Sequence, residues 1–355
     1  IWCNSRRSFM RSHRLRAASG GSGGSGPYSG NIALSHVGSP YITVYPWDSG
    51  FGTKYSDPST LPAGNGFRNC AFSPDGADLA LGHYNSPYIT VYPWNSGFGT
   101  KYSDPSTTPT SHAFGGCDFS PDGADLAVGH ASSPFITVYP WSSSGFGTKY
   151  SNPSTIIPNL AFNVAFSPDG ADLAVAHRNS PSISAYPWSS SGFGTKYSNP
   201  STLPEGTGSG VAFSPDGTDI AVSHTDSPYI SVYPWSSSGF GTKYSDPSTL
   251  PTGSGNDVAF SPDGSDIAVA HSDSPYITVY PWDSGFGTKY SDPSTLPAST
   301  GRAVAFSPDG ADLAVGHDGS PQIVVYPWDS GFGTKYSDPS TTPSNTVYGI
   351  AFSPT

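Results

Sequence analysis

Seven histidines, His36, His83, His130, His177, His224, His271 and His317, recur at intervals of 46 or 47 residues. Imidazoles titrate near neutrality and ligate metals, so a ring of them first suggests a metal site or a pH switch. Their local context argues against both. Each closes a short β-prone run such as Asp172-Leu-Ala-Val-Ala-His177, so the seven rings sit one per repeat and do not converge on one ion. The expected role is a repeated hydrogen bond that ties this strand to the following loop. Paired aspartates, Asp75 with Asp78 through Asp309 with Asp312, place two carboxylates in each turn. Calcium asks for about six to eight oxygens, and Asp in a tight turn more often bonds its own backbone. Neither a metal nor a cofactor is expected.

The elements that carry these residues follow from the repeat itself. Tyr-Pro-Trp occurs seven times, ending at Trp47, Trp94, Trp141, Trp188, Trp235, Trp282 and Trp328. A single unit reads NVAFSPDG, ADLAVAH, RNSPSISAYPW and SSSGFGTKYSNPST: four β-prone segments, a to d, separated by Gly, Pro, Asn, Asp and Ser. Glycine and proline preset the turns between them. Such a unit repeated radially predicts an all-β, seven-bladed β-propeller. The chain enters at Asn31-Ile-Ala-Leu34, matching strand b, and stops at Ile350-Ala-Phe-Ser-Pro354, matching strand a. The C-terminal strand therefore completes the first blade and removes an open sheet edge. The propeller spans 27–355, preceded by an arm and linker at 1–26.

The composition agrees. Glycine (42) and proline (36) are abundant, charged residues are only 12%, and a single Glu and a single Met leave little material for helices. Apolar runs are far shorter than a bilayer span, so no membrane insertion is expected. The Arg-rich start lacks a continuous apolar stretch and is not read as a secretory signal. Cys70 and Cys117 stand where sister repeats carry Val or Ile and read as small buried hydrophobes.

The segment Val-Ala-Phe-Ser-Pro-Asp-Gly, a short strand and a second strand ending in an aromatic pair with Trp resemble the tryptophan-aspartate (WD) repeat propellers over nearly all of 27–355. Near-identical blades of this kind are similar to those of prokaryotes and tailed viruses. The Asp after Trp is not uniform, and the family's Gly-His before strand a is missing. The Phe-Ser-Pro-Asp-Gly turn is also similar to that of lactonase-type propellers.

Function is read from departures from the repeat. The aromatics of Tyr-Pro-Trp and Gly-Phe-Gly-Thr-Lys-Tyr are expected to pack between blades; stacking on sugars, one weak site per blade, is the alternative and resembles lectin-type propellers. No Ser/His/Asp set, phosphate loop or metal spacing stands outside the repeat. Asp118, where sisters carry Ala, is the one polar oddity expected on an inner strand and reads as solvated. Variation gathers in the b–c turns and d–a loops, which emerge on one face, so Arg68, Tyr84, His112, Phe114, Phe162, Arg178, Arg302 and Tyr348 are the expected partner-binding residues.

Residues 1–26 hold Arg6, Arg7, Arg11, Arg14 and Arg16 with no acid, then a Gly/Ser linker; the remainder carries ten basic against 26 acidic residues. An acidic disc does not seek nucleic acid, except through this arm, which reads as a docking peptide for an acidic partner surface. The expectation is a non-enzymatic structural or adaptor module of a larger assembly, at a virion or cell surface, binding protein partners. The alternative is a multivalent lectin binding glycans, and a third reading, a lactonase-like enzyme, requires a substrate pocket at the channel mouth.

Overall fold

The computed structural model describes residues 28–354, and within them every helix or strand is a strand. The basic arm therefore lies outside the described residues. Seven antiparallel sheets form the blades, and strand a of each contacts strand a of the next until the last meets the first. The propeller expected from the repeat is thus the fold observed.

Blade 4 shows the unit: strands a (Ala161–Phe166), b (Asp172–His177), c (Ile183–Ser189) and d (Gly192–Phe193) pair in chain order. Blades 3 and 5 match it, with d at Gly145–Phe146 and Gly239–Phe240. In blades 1, 2, 6 and 7 strand d shrinks to one bridge between Trp and Phe, as in Trp94↔Phe98. Loop length accounts for this. Trp141-Ser-Ser-Ser-Gly-Phe146 has room for a two-residue turn and a second pair, Ser142↔Gly145, whereas Trp94-Asn-Ser-Gly-Phe98 is one residue shorter.

Blade 1 is closed by both chain ends. Its strand a, Val347–Phe352, pairs with strand b, Ser29–His36, through Ile32↔Phe352 to Ser35↔Gly349. The chain is cut where sister blades carry Ser-Pro-Asp-Gly, and Tyr28 takes over that turn's work. Its hydroxyl donates to the Ser353 carbonyl (2.7 Å), and its amide donates to Asp309 Oδ2 of blade 7 (2.8 Å).

The core lies between blades rather than within them. Ile136 and Val138 of blade 3, for example, pack on Val164, Leu173, Val175 and Trp188 of blade 4. Each Trp is edge-on to three rings; Trp188 meets Tyr150, Phe166 and Phe193 at 5.0, 5.8 and 5.0 Å. The Tyr of each Tyr-Pro-Trp is fully buried, its hydroxyl donating to a threonine carbonyl, as Tyr186 does to Thr155 (2.8 Å).

Burying an indole N–H requires an acceptor. It is the aspartate that opens strand b of the preceding blade: Trp188 donates to Asp125 (2.9 Å), and the same bond joins Trp47–Asp312, Trp141–Asp78, Trp235–Asp172, Trp282–Asp219 and Trp328–Asp266 at 2.8–3.0 Å. The seventh junction lacks it. Asn31 stands where Asp belongs, and Trp94 Nε1 is buried without a partner. The first aspartate of each pair serves its own turn, Asp75 accepting from Ser73 Oγ (2.6 Å) and the Ala77 amide (3.1 Å).

The seven histidines are buried at the end of strand b. Nε2 of six of them meets a Thr or Ser hydroxyl on strand c, from His36–Thr43 (2.9 Å) to His271–Thr278 (2.9 Å), and Nδ1 faces the following loop, at the Arg178 carbonyl for His177 (3.2 Å) and the Asp226 carbonyl for His224 (2.8 Å), so the ring ties strand b to strand c as well as to the loop. His317 faces Val324 at that position, and its Nε2 has no partner. Burial lowers all seven to about 4.

These seams make two predictions. Asn31→Asp supplies Trp94 with its acceptor and raises stability by about 1–3 kcal/mol in urea unfolding, the range of a hydrogen bond to a charged group; no gain contradicts the bond's importance. The folded imidazoles bind protons more weakly than the unfolded ones, so their contribution is complete above pH 6.5 and is lost as pH falls from there towards 4. Ring-proton NMR is expected to show folded midpoints near 4, with urea midpoints declining through the same window.

Candidate active site

The eight residues expected to bind a partner lie on one face, where b–c turns meet d–a loops: the Tyr84 amide donates to the Asn65 carbonyl and Asn85 Nδ2 to that of Ala63. They fall into separate groups. Tyr84 stacks on His112 (4.8 Å), which also meets Phe114 edge-on (4.7 Å). Arg302 forms a two-pronged ion pair with Asp318 (2.8 and 2.6 Å) and lies over Tyr348. Arg178 is exposed on the blade 4 turn. Arg68 and Phe162 turn inward.

Arg68 comes from strand a of blade 2 (Gly66–Phe72) and crosses the channel mouth. Its guanidinium covers Phe162 of blade 4 (4.7 Å) and donates to the carbonyls of Ser209 (2.7 Å) in blade 5 and Asn256 (3.2 Å) in blade 6. Loop length makes the reach possible. Pro58–Phe72 and Pro105–Phe119 span fifteen residues where Pro153–Phe166 spans fourteen, and the extra residue in blade 2 is absorbed by a register shift between Gly66 and Cys70. Arg68 (φ 22°) and Asn69 (φ 57°) occupy left-handed backbone there, a conformation that costs a non-glycine residue free energy.

Below Arg68 the inner strands enclose a cavity of about 340 Å³. Among its lining residues are Asn69, Asp118, Asn163 and Asp257, on a wall otherwise of Val, Ala, Ile and Phe. Asp118 replaces the alanine found in all six sister blades. Asp257 sits two positions earlier along the strand, where sisters carry Asn, Gly or Ala. In strand register the two positions are two residues apart, so they share one pleat face and both look onto the cavity.

Each carboxylate is held by the next blade. Asp118 Oδ2 accepts from the Phe166 amide (2.9 Å) and Asp257 Oδ2 from the Val304 amide (3.0 Å). Both are partly accessible, from the channel. Burial pushes Asp118 up to about 7 and Asp257 to about 6; the two amides, and for Asp257 the Arg68 charge, oppose it. Burial in turn draws Arg68 down to about 10. The turn aspartates go the other way: the Ser73 hydroxyl holds Asp75 below the usual range. The channel therefore holds one carboxyl, Asp118, that keeps its proton to higher pH than the other, Asp257, beside two side-chain amides. This is a proton donor and a proton acceptor around a space that fits a small polar molecule.

Sequence reasoning singled out Asp118 and passed over Asp257, Asn69 and Asn163. Aligning the blades at the Val-Ala-Phe position exposes all four, together with the extra residue before strand a in blades 2 and 3.

No family model and no curated protein sequence matches the chain. Solved structures do. A periplasmic gluconolactonase from Pseudomonas aeruginosa superposes with TM-score 0.68 at 19% identity, covering 92% of this chain and 99% of that one. A putative 6-phosphogluconolactonase from Bacteroides fragilis gives 0.64 at 13% identity, covering 91% and 98%. A protein of unknown function from Desulfotomaculum acetoxidans gives 0.67 at 14%, covering 92% and 99%. At these identities the likeness establishes the fold.

The non-enzymatic expectation does not stand. The adaptor, virion-component and lectin readings assumed an unbroken repeat and a solitary Asp118; the channel breaks the repeat with two carboxylates, and the proteins sharing this fold include lactonases. Of the aromatics invoked for sugar stacking, the Tyr and Trp of Tyr-Pro-Trp are buried between blades, and the Phe and Tyr of Gly-Phe-Gly-Thr-Lys-Tyr are half-buried against them.

Folded Asp118 holds its proton more tightly than the unfolded chain does, so its contribution is complete below about pH 4 and is lost as pH rises towards 7. Asp118→Ala, which restores the sister residue, is expected to raise Tm at pH 8 by about 2–4 °C and to give no gain at pH 4. Equal effects at both values contradict a desolvated carboxyl.

Proposed function

We propose that this chain is a lactone hydrolase whose active site is the central channel. The observation that carries the proposal is the pair Asp118 and Asp257 on facing parts of one cavity, at positions where sister blades carry no carboxylate. The lactonase names of two proteins with the same fold support the choice of a cyclic ester as substrate.

The reaction follows from the protonation states. Ionised Asp257 takes a proton from a water molecule as its oxygen adds to the lactone carbonyl carbon, and the C=O π electrons move to oxygen. As the tetrahedral intermediate collapses, the bond from that carbon to the ring oxygen breaks. Asp118 gives its proton to the departing ring oxygen, which becomes the product hydroxyl. Net uptake of one water yields a hydroxy acid, and proton exchange with solvent resets both carboxyls. Asn69 and Asn163 supply hydrogen bonds to the substrate's polar groups. Arg68 closes the mouth on the loop face and, by its charge, favours the ionised form of Asp257.

The roles are separable by kinetics. Because the base must be ionised and the acid protonated, kcat/KM for gluconolactone is expected to be bell-shaped, with limbs near pH 6 and 7. Asp257→Asn and Asp118→Asn each lower kcat/KM by about 10²–10⁴-fold, Asp257→Asn removing the acid limb. Wild-type turnover no faster than the uncatalysed reaction, or unchanged rates in both variants, overturns the proposal.

A further inference from the structure

Resting on the lactonase reading, we infer that the channel takes an uncharged polyhydroxy lactone, entering from the Ser-Pro-Asp-Gly face, and rejects its phosphorylated counterpart. Two observations carry this.

The first is the charge of the wall. Its ionisable groups are Asp118 and Asp257, and among the described residues lining the cavity there is no Lys or Arg. A phosphate monoester entering this space brings up to two negative charges against an ionised Asp257, with neither a cation nor an arginine fork to receive them. Asn69 and Asn163 offer paired donors and acceptors, the complement of sugar hydroxyls.

The second is the position of Arg68. It is the cation nearest the site, yet it sits above the cavity as a bar, its Nη1 shared between the Ser209 and Asn256 carbonyls and its plane resting on Phe162. Releasing it to meet a phosphate sacrifices both hydrogen bonds and the ring contact. Because Arg68 bridges from blade 2 to blades 4, 5 and 6, it obstructs passage from the variable loop face. The accessible end is the opposite one, where Phe213, Phe260 and Phe306 close the strands and line the cavity.

The test compares kcat/KM for gluconolactone and 6-phosphogluconolactone at pH 6.5, each corrected for uncatalysed hydrolysis. The expected result is a preference of at least a hundredfold for the neutral lactone. Ala212→Arg, which places a cation on the cavity wall, is expected to narrow that ratio at least tenfold; a second variant, Ala305→Lys, does the same from another blade if the first fails to fold. Equal rates or a preference for the phosphorylated lactone overturn this inference and leave the lactonase reading intact. Hydrolysis of neither overturns both.

Discussion

The bond from each tryptophan Nε1 to the aspartate of the preceding blade is the constraint on which the ring depends. A β-sheet blade has a preceding and a following neighbour around the ring, and its large apolar surface is buried against those neighbours. An indole at the centre of that seam contributes the area and edge-on aromatic contacts, but its N–H is lost to water. Asp125 and its equivalents supply the acceptor, and in Asp125, Asp172, Asp219 and Asp266 the second oxygen takes a tyrosine hydroxyl, Tyr150 for Asp125 at 2.8 Å. One carboxylate thereby joins strand b, strand c of the next blade and the d segment. Packing and hydrogen bonding are satisfied together, and they set the register of one blade on another.

With stability concentrated in these outer seams, the innermost strands are released from much of that work. Their channel-facing positions are mostly Gly and Ala, and these are the positions at which charge and amide groups enter. Asp118, in place of alanine, is a poor choice for stability because it buries a carboxyl; Arg68 and Asn69 adopt strained backbone. Both costs fall at one site, and groups placed against local stability at a common cavity are the physical mark of function. The frame is sevenfold, and the chemistry resides where that symmetry fails.

Much of the architecture was legible in the residues. The Tyr-Pro-Trp period gave seven blades, the split between Asn31 and Ile350 gave the closure, and Val at the Cys70 and Cys117 positions gave their burial. Strand d was overestimated in four blades, because pairing beyond Trp94↔Phe98 depends on one residue of loop length. The site was less legible. Asp118 was visible as a departure from Ala, but Asp257 replaces Asn, Gly or Ala, a position already variable, and nothing in the linear chain brings blade 3 opposite blade 6 across a channel. Arg68 read as a surface side chain because its loop is variable; its inward path follows from a register shift that only the pairing reveals. Asn31 and Val324, which leave Trp94 and His317 unpartnered, are single substitutions whose meaning appears once the bond they break is known.

The most direct test of the account is a crystal structure of the protein with an unhydrolysable aldonolactam. The ring is expected in the channel, its carbonyl carbon and ring nitrogen between Asp118 and Asp257, with its hydroxyls on Asn69 and Asn163. A channel holding only solvent at saturating lactam, or the lactam bound on the loop face instead, would contradict it.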